Sequence, residues 1–216
     1  MPTRVMPTEL ATAQTFFLLS PADCRGRRAA MLANGDAQFP LARELQTHGA
    51  PLGEVFAFLS ALYFRGKLTY ARRFNCVSQG LPGVLVITPG EGLCRDTEVI
   101  TPERLRAFGS VAVDPDNRDY REPLLRDARA LAAHSAPDAR IVLLGSVASA
   151  KYVRPLLDVF GERLWFPTDF IGRGDMSRGG LLLRAAKDGQ ELVYGRVQGA
   201  TVRGPRPARL PKRPRA

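Results

Sequence analysis

The apolar positions of this chain fall into two alternating kinds of block. Short unbroken apolar runs occur at TFFLLS (15–20), GVLVIT (83–88) and RIVLLGS (140–146), each bounded by Pro, Gly or polar residues. Runs of this length, rich in β-branched and aromatic side chains, predict strands buried on both faces. Between them lie longer stretches with helical spacing. In LGEVFAFLSALYFRGKLTYARRF (52–74), Val55, Phe56, Leu59, Leu62 and Tyr63 share one face. Gly66 is expected to kink or break this helix, leaving 67–74 as a separate basic segment. DYREPLLRDARALAAH (119–134) is amphipathic, with Leu124, Leu125, Ala128, Leu131 and Ala132 on one side and arginines on the other.

Shorter helices are expected in CRGRRAAMLANG, ending at Gly35, in FPLARELQTHG, ending at Gly49, and in TPERLRAF, where Thr101 is the N-cap and Pro102 the first residue. SVAVD (110–114) reads as a further strand. PGEGL (89–93) reads as a turn, and Ser149 as the N-cap of AKYVRPLLDVF. Beyond RLWFP (163–167), an extended piece, LLLRAA is helical and ELVYGRV (191–197) is a last strand. Strands alternating with helices at these separations predict one compact α/β domain over 15–200. Its central sheet is mixed and mostly parallel, with helices on its flanks. Residues 1–14 read as a loose leader, and 201–216 as a disordered basic tail.

Composition narrows the function classes. The chain has 216 residues, 45% of them apolar, enough for one sizeable core. It has no run approaching a membrane span and no signal-peptide pattern at its N-terminus, so a cytoplasmic protein without a membrane role is expected. Cys24, Cys76 and Cys94 are widely spaced, with only His48 and His134 as histidines. That set predicts buried thiols, with no metal site and no cofactor.

The net charge of +10 is unevenly placed. Arg203, Arg206, Arg209, Lys212, Arg213 and Arg215 give the last sixteen residues +6 with no acid, leaving 25 basic against 21 acidic residues, or +4, for the remainder. With four prolines, that arm suits sequence-independent, salt-sensitive neutralisation of nucleic-acid phosphates, most simply on duplex DNA. It serves equally well as a solubilising tail.

In an α/β fold, ligands gather beyond the carboxyl ends of the strands. Four segments occupy such places: SPADCRGRR (20–28), TPGEGL (88–93), GSVASAKY (145–152) and GRGDMSRGG (172–180). Small residues, hydroxyls and cations in such loops are the materials of an anion site for a nucleotide or a phosphorylated small molecule. A turn, a plain helix entry or a solvated face accounts for the first three without a ligand. GRGDMSRGG has the least structural excuse, since its glycines weaken a helix. No Walker loop, dinucleotide fingerprint or Ser-His-Asp set is present. Catalysis would therefore rest on Asp23, Glu91, Asp175, Lys151, Tyr70 or Tyr152.

Taken in order, the segments resemble the YaaA family of bacterial peroxide-stress proteins. LLSPAD (18–23) is similar to the family's Ser-Pro-Ala-Lys, FRGKLTY (64–70) to Phe-x-Gly-x-x-Tyr, and VASAKY (147–152) to Leu-Ala-Ser-x-Glu-Tyr. Arg173, Gly174, Met176 and Arg178 match Arg-Gly-x-Met-x-Arg in order and spacing. The resemblance implies an α/β fold with some likeness to uracil-DNA glycosylases, and DNA association linked to oxidative stress. It also implies a pocket in which Arg173 and Arg178 hold an anion and Gly174 with Gly179 lets backbone approach it. Ser20, Ser149 and Tyr152 would be its polar contacts. Asp23 stands where the family has Lys, and Lys151 where it has Glu. These reversals imply a different ligand or proton-transfer partner, with Asp23, Lys151 and Asp175 as the candidate catalytic groups. Two expectations follow: a nucleic-acid-associated protein, or a small-molecule enzyme acting on a nucleobase, nucleotide or other phosphorylated metabolite.

Overall fold

The structure, a computed structural model, describes residues 14–201, 203–208 and 210. The first strand, β1 (Thr15–Leu19), leads through α1 (Arg27–Ala33), α2 (Pro40–Thr47) and β2 (Ala50–Pro51) to the long helix α3 (Leu52–Phe74). Then come β3 (Val84–Thr88), β4 (Gly92–Arg95), β5 (Val99–Ile100), α4 (Pro102–Ser110) and α5 (Arg118–His134). The chain closes with β6 (Arg140–Leu144), α6 (Ala150–Phe160), β7 (Leu164–Pro167), α7 (Asp175–Asp188) and β8 (Tyr194–Arg196). Six strands form one sheet in the order β4-β3-β1-β6-β7-β8. The four inner strands are parallel, and β4 and β8 pair antiparallel at the edges. This is the mixed, mostly parallel α/β sheet expected from the alternation of strand and helix patterns.

The strand sequences explain why both faces are covered. In β1, Phe17 and Leu19 face one core, with Val84, Val86, Val142 and Leu144, beneath α1, α3, α4 and α7. Phe16 and Leu18 face the other, with Leu85, Ile87, Ile141 and Leu143, beneath α5 and α6. A strand that alternates between two cores has no polar face, hence its continuous apolar sequence. The chain after β1 enters the first layer of helices and the chain after β6 enters the second. These two strands are neighbours, paired from Thr15↔Arg140 to Leu19↔Leu144. Their carboxyl ends therefore flank a crevice, the topological switch point of the sheet.

Local expectations were met at α4, where the Thr101 side chain accepts from the Arg104 amide at 3.4 Å and Pro102 opens the helix. Elsewhere tertiary structure overrides the local pattern. The expected break at Gly66 lies instead at Ala61, whose φ of 45° and ψ of −122° divide α3 into two arms. Gly66 is helical and serves a different purpose. A Cβ there would stand 2.7 Å from the Gly179 carbonyl oxygen, and one at Gly179 would stand 2.7 Å from that of Leu62, so the pair lets α3 and α7 cross backbone to backbone. Residues 110–114 form no strand, because β4 already occupies the sheet edge beside β3. PGEGL is more than a turn: it joins β3 to β4 as a hairpin with Thr88 opposite Gly92. The two-residue pair β2-β5 carries no signal in the pattern.

Among the described residues, no helix is long and apolar enough to cross a membrane. Residues 1–13 of the expected leader, and 202, 209 and 211–216 of the tail, lie outside the described residues. The described part of the tail has no helix or strand. It lies against the start of α7, where an Arg173 amino group donates to the Ala208 carbonyl at 3.4 Å.

Candidate functional site

A cleft of about 610 Å³ opens beyond the carboxyl ends of β1, β3 and β6. Its floor begins where β1 stops. The Ser20 amide still donates to the Leu144 carbonyl at 3.2 Å, so the residue is held as an extension of the sheet while its hydroxyl faces the cleft. Gly145, opposite, makes room for it: a Cβ there would lie 2.9 Å from Ser20 Cβ and 3.0 Å from the Tyr152 ring.

The second arm of α3 brings Lys67 beneath Ser20. Lys67 is 1% exposed, and its Nζ donates to the Ser20 carbonyl at 2.6 Å and to Ser20 Oγ at 3.0 Å. The rings of Tyr63 and Phe64 each lie 4.6 Å from Nζ. Desolvation drives the ammonium down from 10.5 to about 7, with the Asp175 carboxylate opposing the shift. A lysine in this setting is the neutral amine in about half of the molecules near pH 7, and that form can accept a proton.

Hydroxyls crowd the same space. Ser60, just before the break at Ala61, lines the cleft, and so do Tyr63, Ser146, Ser149 and Tyr152. The Tyr152 oxygen accepts from the Ser146 amide at 2.9 Å, and the same hydroxyl is hydrogen-bonded with the Ser20 side chain. Burial pushes its phenol upward, so it stays protonated. The Tyr63 hydroxyl is buried near the Arg178 guanidinium and, among the described residues, meets no hydrogen-bond partner within bonding geometry. Cys24 also lines the cleft, but burial, reinforced by Asp23, raises its thiol to about 12 and keeps it from acting as a thiolate. Pro89, Phe108, Val111 and Val113 supply an apolar wall. The two valines belong to the segment expected as a strand.

Of the residues singled out in the sequence, Ser20, Asp23, Ser149, Lys151, Tyr152 and Asp175 do converge on this cleft. Asp23, Lys151 and Asp175 are exposed groups on its rim rather than on its floor. Ser149 precedes α6 as expected, yet its side chain makes no capping hydrogen bond. The two arginines part company. Arg178 is 8% exposed, and its guanidinium is taken up by the Phe170 carbonyl, at 3.3 and 3.1 Å, and by Asp175 at 3.2 Å. It steadies the cleft wall from behind. Arg173 lies in a neighbouring groove of about 300 Å³ with Gly174, Ser177, Arg184 and Arg206. Its guanidinium donates to the Asp169 carbonyl at 3.0 Å and to Ser177 Oγ at 3.3 Å. Met176, 68% exposed, lines both spaces and stands as the ridge between them.

Gly174 is the N-cap of α7 with open space around it, whereas Gly179 is spent on the helix crossing. Arg203 and Arg206 are exposed; Arg209, Lys212, Arg213 and Arg215 lie outside the described residues. Tyr70 is fully buried, 2.6 Å from the Tyr194 hydroxyl, and Glu91 pairs with Arg104, so neither belongs to the cleft. Glu91, Cys94 and Glu98 sit close enough together to share a metal ion, but Arg104 already engages both carboxylates.

Sequence reasoning missed Lys67, Tyr63, Ser60 and Ser146. A signal for the first existed: Lys67 lies four residues after Tyr63, three after Phe64 and four before Ala71, on the buried face of the helix. No protein-family model matches this chain, and no characterised protein or solved structure is significantly similar to it.

Proposed function

We propose that the protein is an enzyme whose cleft takes a polar small molecule of about nucleoside size, a nucleobase, nucleotide or other phosphorylated metabolite. Lys67 is its proton acceptor. The observation that carries this reading is the buried amine on the cleft floor, bonded to Ser20 and not to a carboxylate. A purely structural lysine gains little from such burial, since desolvation of its charge is costly and a leucine would fill the space at no such cost. Perturbed groups facing a cleft are the usual property of acid–base sites. The apolar wall of Phe108, Val111 and Val113 opposite a floor of hydroxyls suits a ligand with one flat apolar face and a hydrogen-bonding edge.

Thermal-shift measurements against a panel of nucleobases, nucleosides and nucleotides test this reading. A bound ligand at about 100 times its Kd adds about 2.7 kcal/mol of stability. The shift should vanish in Val113→Trp, which fills the cleft from its rim. A panel without any shift, or a shift that survives Val113→Trp, counts against the reading.

A second reading, association with nucleic acid as the YaaA resemblance implies, is favoured by the groove beside the cleft. Arg173, Arg184 and Arg206 line one side of the Met176 ridge, and the chain carries a net +10. Phosphates in that groove would place one nucleotide unit at the mouth of the cleft. Duplex DNA binding across a salt series tests it. Arg173→Ala with Arg206→Ala should lower the log–log salt slope by about 2, and an unchanged slope would exclude the groove.

A further inference from the structure

We propose that Ser20 is a nucleophile activated by Lys67, and that the cleft forms a covalent acyl-serine intermediate with an ester or amide carbonyl of its substrate. This deepens the enzyme reading above and rests on it.

The geometry assigns the roles. Lys67 is the more deeply buried of the pair, 1% exposed against 5% for Ser20, and both line the cleft. Lys67 is therefore poorly placed to attack a substrate itself and well placed to take a proton from Oγ, 3.0 Å away. The Ser20 carbonyl can only accept, so it fixes one N–H of the amine at 2.6 Å. In the neutral amine the lone pair is then available to Oγ, and that hydrogen bond runs from the hydroxyl to Nζ. This is the arrangement of a serine with a neighbouring base. The Tyr152 hydroxyl, its oxygen accepting from the Ser146 amide, is also hydrogen-bonded with the Ser20 side chain and so stands where charge develops beside Oγ.

The step balances without any further reagent but water. The Ser20 proton passes to Nζ as Oγ bonds to the carbonyl carbon, and the carbonyl oxygen becomes the oxyanion that Tyr152 supports. The carbon–heteroatom bond then breaks, the leaving oxygen or nitrogen takes the proton from Nζ, and acyl-Ser20 remains. Water repeats the sequence: it loses a proton to Nζ and attacks the acyl carbon, the carbon–Oγ bond breaks, Oγ takes the proton back from Nζ, and the carboxylic acid leaves. Each step creates one ammonium and one oxyanion side by side, so the buried lysine carries its charge only while a counter-charge is next to it. A neutral carbonyl suits this balance. A dianionic phosphoryl group at the same point would add negative charge near Asp23 and Asp175 on the rim.

Burial and the opposing Asp175 carboxylate of α7 set the amine's protonation; the other charged and titratable groups around neighbouring Tyr63 are Arg178 from α7 and Tyr152 from α6. Both tyrosines are held protonated by burial, and Arg178 and Asp175 offset each other at 3.2 Å.

The full chain is incubated with a neutral alkyl fluorophosphonate, whose P–F bond is replaced by an Oγ–P bond. Adducts are located by peptide mass spectrometry. Ser20 should be labelled at least about 100-fold faster than Ser60, Ser146 or Ser149, with a rate that rises between pH 6 and pH 8. Ser20→Ala should remove the adduct. Lys67→Met should slow it by about 100-fold or more while the folded circular-dichroism spectrum is kept. Labelling of Ser20 no faster than the other three serines overturns the proposal, and this needs only the unaltered protein. Equal labelling in folded Lys67→Met overturns the role of the lysine. If no adduct forms while cleft ligands still shift the melting temperature, the nucleophile fails and the ligand-binding reading stands; if neither occurs, both fail.

Discussion

Replacing Lys67 by Met separates the electrostatic cost of the site from its packing. In the folded protein the ammonium is pushed down from 10.5 to about 7, and unfolding restores the ordinary value. The unfolded chain therefore holds this proton up to about pH 10.5, whereas the folded chain releases it above about pH 7. Stability must rise with pH across that window, by about 1.4 kcal/mol per pH unit, and below about pH 7 the whole desolvation cost of about 5 kcal/mol is present. Methionine keeps most of the volume and removes the charge, but it leaves the Ser20 carbonyl without its donor, a loss of about 1–3 kcal/mol. Lys67→Met should then be more stable than the parent by about 2–4 kcal/mol near pH 6. The gap should close by about 2–3 kcal/mol as pH rises to about 9. Urea unfolding at intervals between these limits measures it, and the same change read as melting temperature is about 5–10 °C. Cys24 and Cys94, raised by burial to about 12 and about 11, begin to matter only near the upper limit and cancel between the two proteins. Parallel pH curves, or a variant less stable at pH 6, would refute the buried-amine account.

Four further substitutions, at three positions, probe the scaffold. Gly179→Ala would set a Cβ 2.7 Å from the Leu62 carbonyl oxygen and 2.8 Å from Tyr63 Cα, both backbone, and should cost about 1–3 kcal/mol or more in urea unfolding. Gly180→Ala, one residue on, meets only a Leu210 methyl at 3.5 Å and should gain about 0.5–1 kcal/mol from helix propensity. If both glycines respond alike, the helix-crossing explanation is wrong. Ala61→Gly should stabilise by about 1 kcal/mol, because the left-handed strain it relieves exceeds the added backbone entropy, and Ala61→Val should destabilise by about 2 kcal/mol. Calorimetry that ranks valine with alanine would place the break in α3 elsewhere.

Much of this fold can be read from the chain because its main strands are buried on both faces. TFFLLS, GVLVIT and RIVLLGS have no polar alternation to confuse, and Pro or Gly ends each helix pattern nearby. SVAVD misleads because valines at alternate positions satisfy a strand pattern equally well as the wall of a cleft. The loops after the strands reveal Ser20, Ser149 and Tyr152, since strand ends fix where ligands gather. Lys67 is hidden for a different reason. It sits among Arg65, Arg72 and Arg73, so it reads as part of a basic surface, although Arg65, Arg72 and Arg73 are exposed and Lys67 is not. Lysine is almost never fully buried without a partner. Composition argues against the one place that the helical period assigns to it.

Two separate costs meet at this cleft, and neither follows from building the sheet. Ala61 holds a backbone conformation worth about 1–3 kcal/mol of strain, and Lys67 holds a desolvated amine worth about 5 kcal/mol at low pH. A domain whose folding free energy is only about 5–15 kcal/mol gives up a large share of it in that way. The first arm of α3 could continue in phase with an ordinary helical residue at 61, and a leucine at 67 would join the surrounding core. What both departures accomplish is local: the break sets Ser60 and Tyr63 on the cleft wall, and the lysine meets Ser20. Local rules that fail together at one point, while the rest of the chain obeys them, mark a site that is used. Ala61→Gly combined with Lys67→Met is accordingly expected to raise stability by close to the sum of the single gains, and to slow fluorophosphonate labelling of Ser20 by at least about the 100-fold expected of Lys67→Met alone.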